Sequence, residues 1–219
     1  MIATPVWPPP GPYFRDAYAE ERALLEAGRF EAALELCAQT AAAAERASAP
    51  EGLLAMIWAH RGDILRRQGA LAAAVHAYAE CLRRLTPIAE RIGHPPILAI
   101  PLHTLVALHF ALRQISEAMA LLDQADALSA QAAPPIDMRY INAHALVLRA
   151  WGCAAIRDYV TSRACYTRAL ELCAAAAIQR TDRIYADITH GLAWLEHPNI
   201  SPPSLFVWDA LRPDETATV

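Results

Sequence analysis

The sequence predicts an all-α protein built from stacked helix pairs, and three observations lead there. Alanine makes up about a fifth of the 219 residues while Val, Ile and Thr are few, a composition that favours helix over strand. A short turn recurs four times in near-constant register, beginning Gly28-Arg-Phe, Gly69-Ala-Leu, Arg113-Gln-Ile and Arg157-Asp-Tyr, at spacings of 41, 44 and 44 residues. Between these turns lies a second set of breaks, at Ser48–Pro50, Gly93–Pro96 and Ala133–Pro135. Proline ends the helix that precedes it and is tolerated in the first turn of the next. Alanine cannot fill a wide globular core, but it suits thin layers of closely packed helices.

The register extends beyond the turns. Each has an apolar residue two places on (Phe30, Leu71, Ile115, Tyr159), a small one three later (Ala33, Ala74, Ala118, Ser162) and another small one seven beyond that (Thr40, Cys81, Ala125, Ala169). Alternating turns and breaks place helices at roughly 13–27, 30–48, 51–68, 70–92, 97–112, 115–132, 136–156 and 158–177. Pro101 sits awkwardly in the fifth, so that helix starts near Ile100 or bends there. A ninth segment, 181–197, opens on the N-cap candidates Thr181 and Asp182, ends before Pro198, and serves as an end helix. This divides the chain into a Pro-rich extended tail (1–12), a helical repeat domain (13–197) and a flexible C-terminal tail (198–219) with an apolar island at Leu205, Phe206, Val207 and Trp208.

The most regular stretch runs from Trp58 to Leu85, two helices folded back at Gln68–Gly69–Ala70. Trp58, Gly62 and Leu65 share one stripe, and Ala74, Tyr78 and Cys81 another; the small members allow close approach and the large ones fill the space around it. Trp-x2-Arg-Gly-x2-Leu followed by Ala-x3-Tyr resembles the tetratricopeptide repeat. Arg61 stands where that family favours Leu, Leu65 where it favours Tyr, and the closing proline comes one residue late, at Pro87. Glu21, Val106 and Ala150 replace the first-helix glycine in the other three repeats. The spacing exceeds the usual repeat and is similar to the long variety found in bacterial signalling and transcription-activator proteins. The resemblance implies a right-handed superhelical solenoid of antiparallel helix pairs, about four repeats plus a capping helix, whose first helices line a concave groove.

Composition narrows the chemistry. The net charge of −4 and pI near 6.0 offer no bulk attraction to nucleic acid, and no helix-turn-helix with a basic recognition helix is present. All 19 basic residues are arginine, which removes a Schiff-base or phosphate-loop lysine. The five cysteines are odd in number, form no C-x-x-C and lie in helical patterns, pointing to a reducing cytoplasm. Cys165 and Cys173, eight apart on one helix, are too far apart to bridge. The start lacks a basic segment followed by an apolar run, so no signal peptide is expected, and the longest apolar run (97–112) is too short and polar to span a bilayer. His103 and His109 point different ways, while His190 and His197 share a face without a completing carboxylate or cysteine, so no metal is expected. No G-x-S-x-G, phosphate loop or Ser–His constellation appears; catalytic residues and cofactors are therefore expected to be absent, and the chain is not read as an enzyme.

What the resemblance implies for function is a partner held in the groove. Its groove-facing positions fall on Arg15, Tyr18 and Arg22, then Met56, Asp63, Arg66 and Arg67, then His103, Phe110, His144 and Trp151. Such a surface suits a protein or peptide partner with acidic and apolar residues, since Arg forks onto carboxylates and desolvated Trp, Tyr and Arg concentrate binding energy. For Arg66 and Arg67 a solvated helix end is the plain alternative, and for Phe110 and Trp151 it is inter-helix packing. The Lys/Asn clamp of some chaperone-binding relatives is not reproduced, because Tyr18, Arg22, Ala59 and Asp63 stand there. The tail at Leu205, Phe206, Val207 and Trp208 could dock in the groove or pack on the last helix. A non-enzymatic binding scaffold is the first expectation. The alternatives are a ligand-sensing module of a transcriptional regulator whose DNA reader lies elsewhere, and a secretion or assembly chaperone.

Overall fold

The structure, a computed structural model, describes residues 12–132, 138–176 and 183–197. The Pro-rich start, the break at Ala133–Pro135, the caps Thr181 and Asp182, and the island at Leu205–Trp208 lie outside the described residues. Everything described is helix or turn. The helices are α1 (Pro12–Glu26), α2 (Phe30–Arg46), α3 (Glu51–Arg67), α4 (Leu71–Ile92), α5 (Ala99–Ala111), α6 (Ile115–Ser129), α7 (Arg139–Ala155), α8 (Tyr159–Ala175) and α9 (Arg183–Glu196), with a short 3-10 helix at Pro95–Leu98. None is long and apolar enough to cross a membrane.

The recurring turn is a real structural unit. Gly28, Gly69, Arg113 and Arg157 all adopt left-handed backbone, with φ of 68°, 85°, 64° and 66°. At each, the N–H of the left-handed residue donates to the carbonyl three residues back, and the next N–H reaches the carbonyl five back, as in Gly28 to Leu25 and Arg29 to Leu24. This Schellman pair satisfies carbonyls that the helix end would otherwise leave bare. The residue that opens the next helix repeats too: Arg29, Ala70, Gln114 and Asp158 have φ/ψ of −88°/64°, −80°/60°, −91°/71° and −82°/73°. The eight small residues placed by register, from Ala33 and Thr40 to Ser162 and Ala169, are all buried.

Two prolines behave differently from a simple stop signal. α4 runs through Pro87 and ends only at Gly93, another left-handed cap, so this proline does not close the helix. Pro101 falls in the first turn of α5, where its missing N–H has no intrahelical partner to lose, and the 3-10 helix delivers the chain to that start.

The helices gather into two compact units that divide between His94 and Pro95. In the first, α1 packs on α2, α2 on α3 and α3 on α4. Its core of Ala33, Cys37, Ala44, Leu54, Ile57 and Ile64 is covered by Leu24, Leu25, Phe30 and Leu34. Arg84 clasps three helices, reaching Glu80 at 2.9 Å, Glu51 at 3.0 Å and Glu45 at 3.8 Å. In the second unit α5 packs on α6 and α7, α7 on α8, and α8 on α9. One cluster joins Val106, Phe110, Leu122 and Leu148; another joins Val147, Tyr166, Ile184 and Ile188. Arg149 ties α7 to α6 through Asp123 and Asp126, both at 2.7 Å.

Gly62 shows why the helix pairs can be so close. A Cβ built there would lie 2.5 Å from the ring of Tyr78, so the ring of α4 rests directly on the backbone of α3. Gly191 of α9 carries Tyr166 in the same way, at 2.3 Å. Tyr78 and Tyr166 each stand nine residues past their turn, an equivalence that the sequence register contains.

Candidate partner-binding face

Seven of the groove residues named from sequence lie in the first unit, on α1 and α3, and most of them share one face. Tyr18 is 49% exposed, and its ring meets the His60 ring edge-on with centroids 4.2 Å apart. The Asp63 carboxylate accepts a 2.8 Å hydrogen bond from the Tyr78 hydroxyl and lies 3.3 Å from Arg66. Burial, then the Asp63 charge, push the Tyr18 phenol above its ordinary pKa; Glu21 adds to this, while Arg22 and Arg67 pull the other way. The charges of Asp63, Arg22 and Arg67 thus all act on Tyr18. Arg22 is exposed and paired with Glu26 at 2.9 Å, and Arg15 is also exposed. Arg67 is half-buried in the last turn of α3, where the helix dipole favours a cation, and makes no ion pair among the described residues. Met56, half-buried, lies about three turns earlier on the same helix.

Arg66 departs from the expectation. It is buried, with Asp63 as a partner, so it braces α3 instead of offering its guanidinium to solvent. The reason is helical phase: Arg66 stands one turn past Gly62, on the stripe that meets Tyr78 of α4, whereas Arg67, one residue on, is turned about 100° around the axis. The solvated-end alternative fails for Arg66, and Arg67 alone keeps the features it requires.

The second unit departs further. His103, Phe110 and His144 are at most 1% exposed, which removes all three from any surface. The inter-helix packing alternative is the one realised for Phe110, whose ring stands 5.2 Å from that of Trp151 and presses on Gly152. Trp151 is half-buried, and its indole nitrogen has no hydrogen-bond acceptor among the described residues. α5 is buried along most of its length, from Pro101 to Leu108 and at Phe110, while Ile100 at its start is exposed.

Two contacts had no signal in the sequence. Glu21, at the position equivalent to Gly62, is buried with its Oε1 3.3 Å from Nδ1 of His60. Nδ1 of His103 lies 3.2 Å from Nδ1 of His144, across α5 and α7. Both join residues about forty apart in sequence.

Nucleophilic chemistry has little to work with here. All five cysteines are free and buried, and burial pushes the thiols of Cys37 and Cys81 up to about 12. Among the described residues no three His, Cys, Asp or Glu side chains are grouped to hold a metal ion. What the first unit does present is a half-exposed phenol acted on by one exposed and one half-buried guanidinium. No protein-family model matches the chain, and no curated protein matches it.

Proposed function

We propose that the chain is a non-enzymatic binding scaffold whose hairpins stack in the manner of the tetratricopeptide-like solenoid it resembles, and that it holds a protein or peptide partner on the α1–α3 face of its first unit. The observation that carries this reading is the half-exposed Tyr18 set between Arg22 and Arg67. Arg67 in particular is desolvated on one side and uncommitted, the condition in which an arginine contributes most to binding. The partner segment carries acidic residues for the two guanidinia and an apolar or aromatic residue for Tyr18. The groove is narrower than the sequence alone suggests, because Arg66, His103, Phe110 and His144 serve packing. Buried, unbridged cysteines fit a reducing compartment such as the cytoplasm.

A peptide array of acidic-apolar sequences, followed by calorimetry on the best binder, tests this. Arg67→Glu is expected to weaken binding by roughly 10- to 30-fold and Tyr18→Ala by a similar factor, with the helical signal of both variants unchanged. Affinity that survives both changes would show that this face is not used.

A further inference from the structure

The second unit contains a pair of histidines that the binding reading does not use. His103 of α5 and His144 of α7 are 0% and 1% exposed, with ring centroids 5.2 Å apart and their Nδ1 atoms at 3.2 Å. A bond between two Nδ1 atoms needs one to carry a proton and the other to present its lone pair. With both rings fully protonated, two N–H donors and two positive charges would face each other across the same gap.

Burial makes such a charge costly on either ring. Nε2 of His103 has no hydrogen-bond partner among the described residues. Charged groups on the neighbouring helices have contacts of their own or lie in solvent. On α6, Asp123 and Asp126 hold Arg149 of α7, and Glu117 is exposed. On α8, Arg163 pairs with Glu196 of α9, Arg168 pairs with Glu171, and the Asp187 carboxylate of α9 acts on Tyr166. His109, at the far end of α5, bonds Gln114, and the 3-10 helix at Pro95–Leu98 contains no titratable side chain.

We propose that the His103–His144 contact is an acid-operated latch in the second unit: protonation opens the α5–α7 seam and uncovers the apolar cluster of Val106, Ala107, Phe110, Ala145 and Leu148 beneath it. The direction follows from linkage. Burial lowers His103 to about 4, and burial followed by the neighbouring His103 charge lowers His144 well below its ordinary value. The closed seam thus binds fewer protons than the open one. Its stability is complete above the ordinary histidine pKa near 6.5 and is lost progressively as pH falls from there toward about 4. Between about pH 7.5 and pH 5 the opening equilibrium rises by roughly 30-fold for each imidazole, and by up to about 1,000-fold for the two together.

Residue-resolved amide hydrogen exchange on the full chain, corrected for intrinsic rates, tests this at pH 7.5, 6 and 5. Exchange in α5 and α7 is expected to accelerate on acidification well ahead of α8 and α9, accompanied by binding of an apolar dye. A double variant, His103→Leu with His144→Phe, is expected to lose most of that acceleration. Equal acceleration in all helices of the unit would overturn the latch, and so would a folded double variant that retains the full response. Should the variant not fold, the wild-type imidazole Cε1 protons decide. Titration of both rings near 6.5 with the α5 and α7 amides still protected overturns the proposal; titration that coincides with loss of their protection supports it.

Discussion

The first helices of successive repeats meet in both units, yet the two meetings have opposite character. Between α1 and α3, Tyr18, His60, Glu21, Asp63 and Arg67 leave a charged, partly open surface. Between α5 and α7, His103 and His144 are sealed above Val106, Phe110 and Leu148. The turns that end these helices repeat closely, in φ at the left-handed residue and in φ and ψ at the next, so they do not create the difference. The occupants of equivalent positions do. Glu21 and Val106 stand at the same place in the register, seven residues before their turns, and both are buried. One brings a carboxylate that needs a partner, and the other brings only a methyl surface. Hairpins with matching turns can therefore leave a charged, partly open surface at one pair of helices and a sealed apolar seam at another.

The sharpest way to break this contrast is to truncate an aromatic on each side. Phe110→Ala is expected to destabilise the second unit by about 3–5 kcal/mol, because the ring is wholly buried and the site cannot collapse around Gly152. Tyr18→Ala is expected to cost under about 1 kcal/mol, since half of its surface already faces water. Urea unfolding measured by far-UV circular dichroism checks both, and equal losses would mean that the two seams do the same job.

Next in size is the close approach at glycine. Gly62→Ala places a Cβ 2.5 Å from a ring whose hydroxyl is anchored to Asp63 at 2.8 Å. The overpacking cost of about 1–3 kcal/mol outweighs the gain of about 1 kcal/mol in helix propensity. Gly191→Ala faces the Tyr166 ring at 2.3 Å, but that hydroxyl has no hydrogen-bond partner among the described residues and the ring is freer to shift. Thermal denaturation is expected to rank Gly62→Ala as the more damaging of the two; the reverse order would show that the hydroxyl anchor is irrelevant.

The smallest effect tests the turns themselves. Arg113 and Arg157 hold left-handed conformations that cost an L-residue about 1 kcal/mol, and neither side chain forms an ion pair among the described residues. Arg157→Gly and Arg113→Gly are each expected to raise stability by about 0.5–1 kcal/mol in denaturant titrations, while Gly69→Ala lowers it by a similar amount. A loss on introducing glycine would show that the arginines contribute something the turn geometry does not reveal.

Much of the architecture was legible because helix boundaries are local events. Glycine at 28, 69 and 93 announces left-handed caps, and the Phe30, Leu71, Ile115 and Tyr159 register carries the same turn to Arg113 and Arg157, where no glycine marks it. Pro87 lies within the helix expected over 70–92 and found at Leu71–Ile92: proline removes one hydrogen bond, and a helix already packed along its length absorbs that loss. The candidate site was only half legible. Tyr18 and Arg22 are exposed and Arg67 is half-buried, but Arg66 and Arg67 are neighbours in sequence that the helix turns in different directions.

From sequence alone came the helical content, the four turns and the identity of the small buried positions, because each depends on residues within a turn or two of one another. Tertiary structure alone decided which polar residues are surface and which are core. Whether His103 is a partner-facing ligand or a buried hydrogen-bond donor depends on His144, 41 residues away, and on how completely α5 is wrapped by α6 and α7. Burial is a property of the surroundings, and the surroundings of a repeat are supplied by its neighbours.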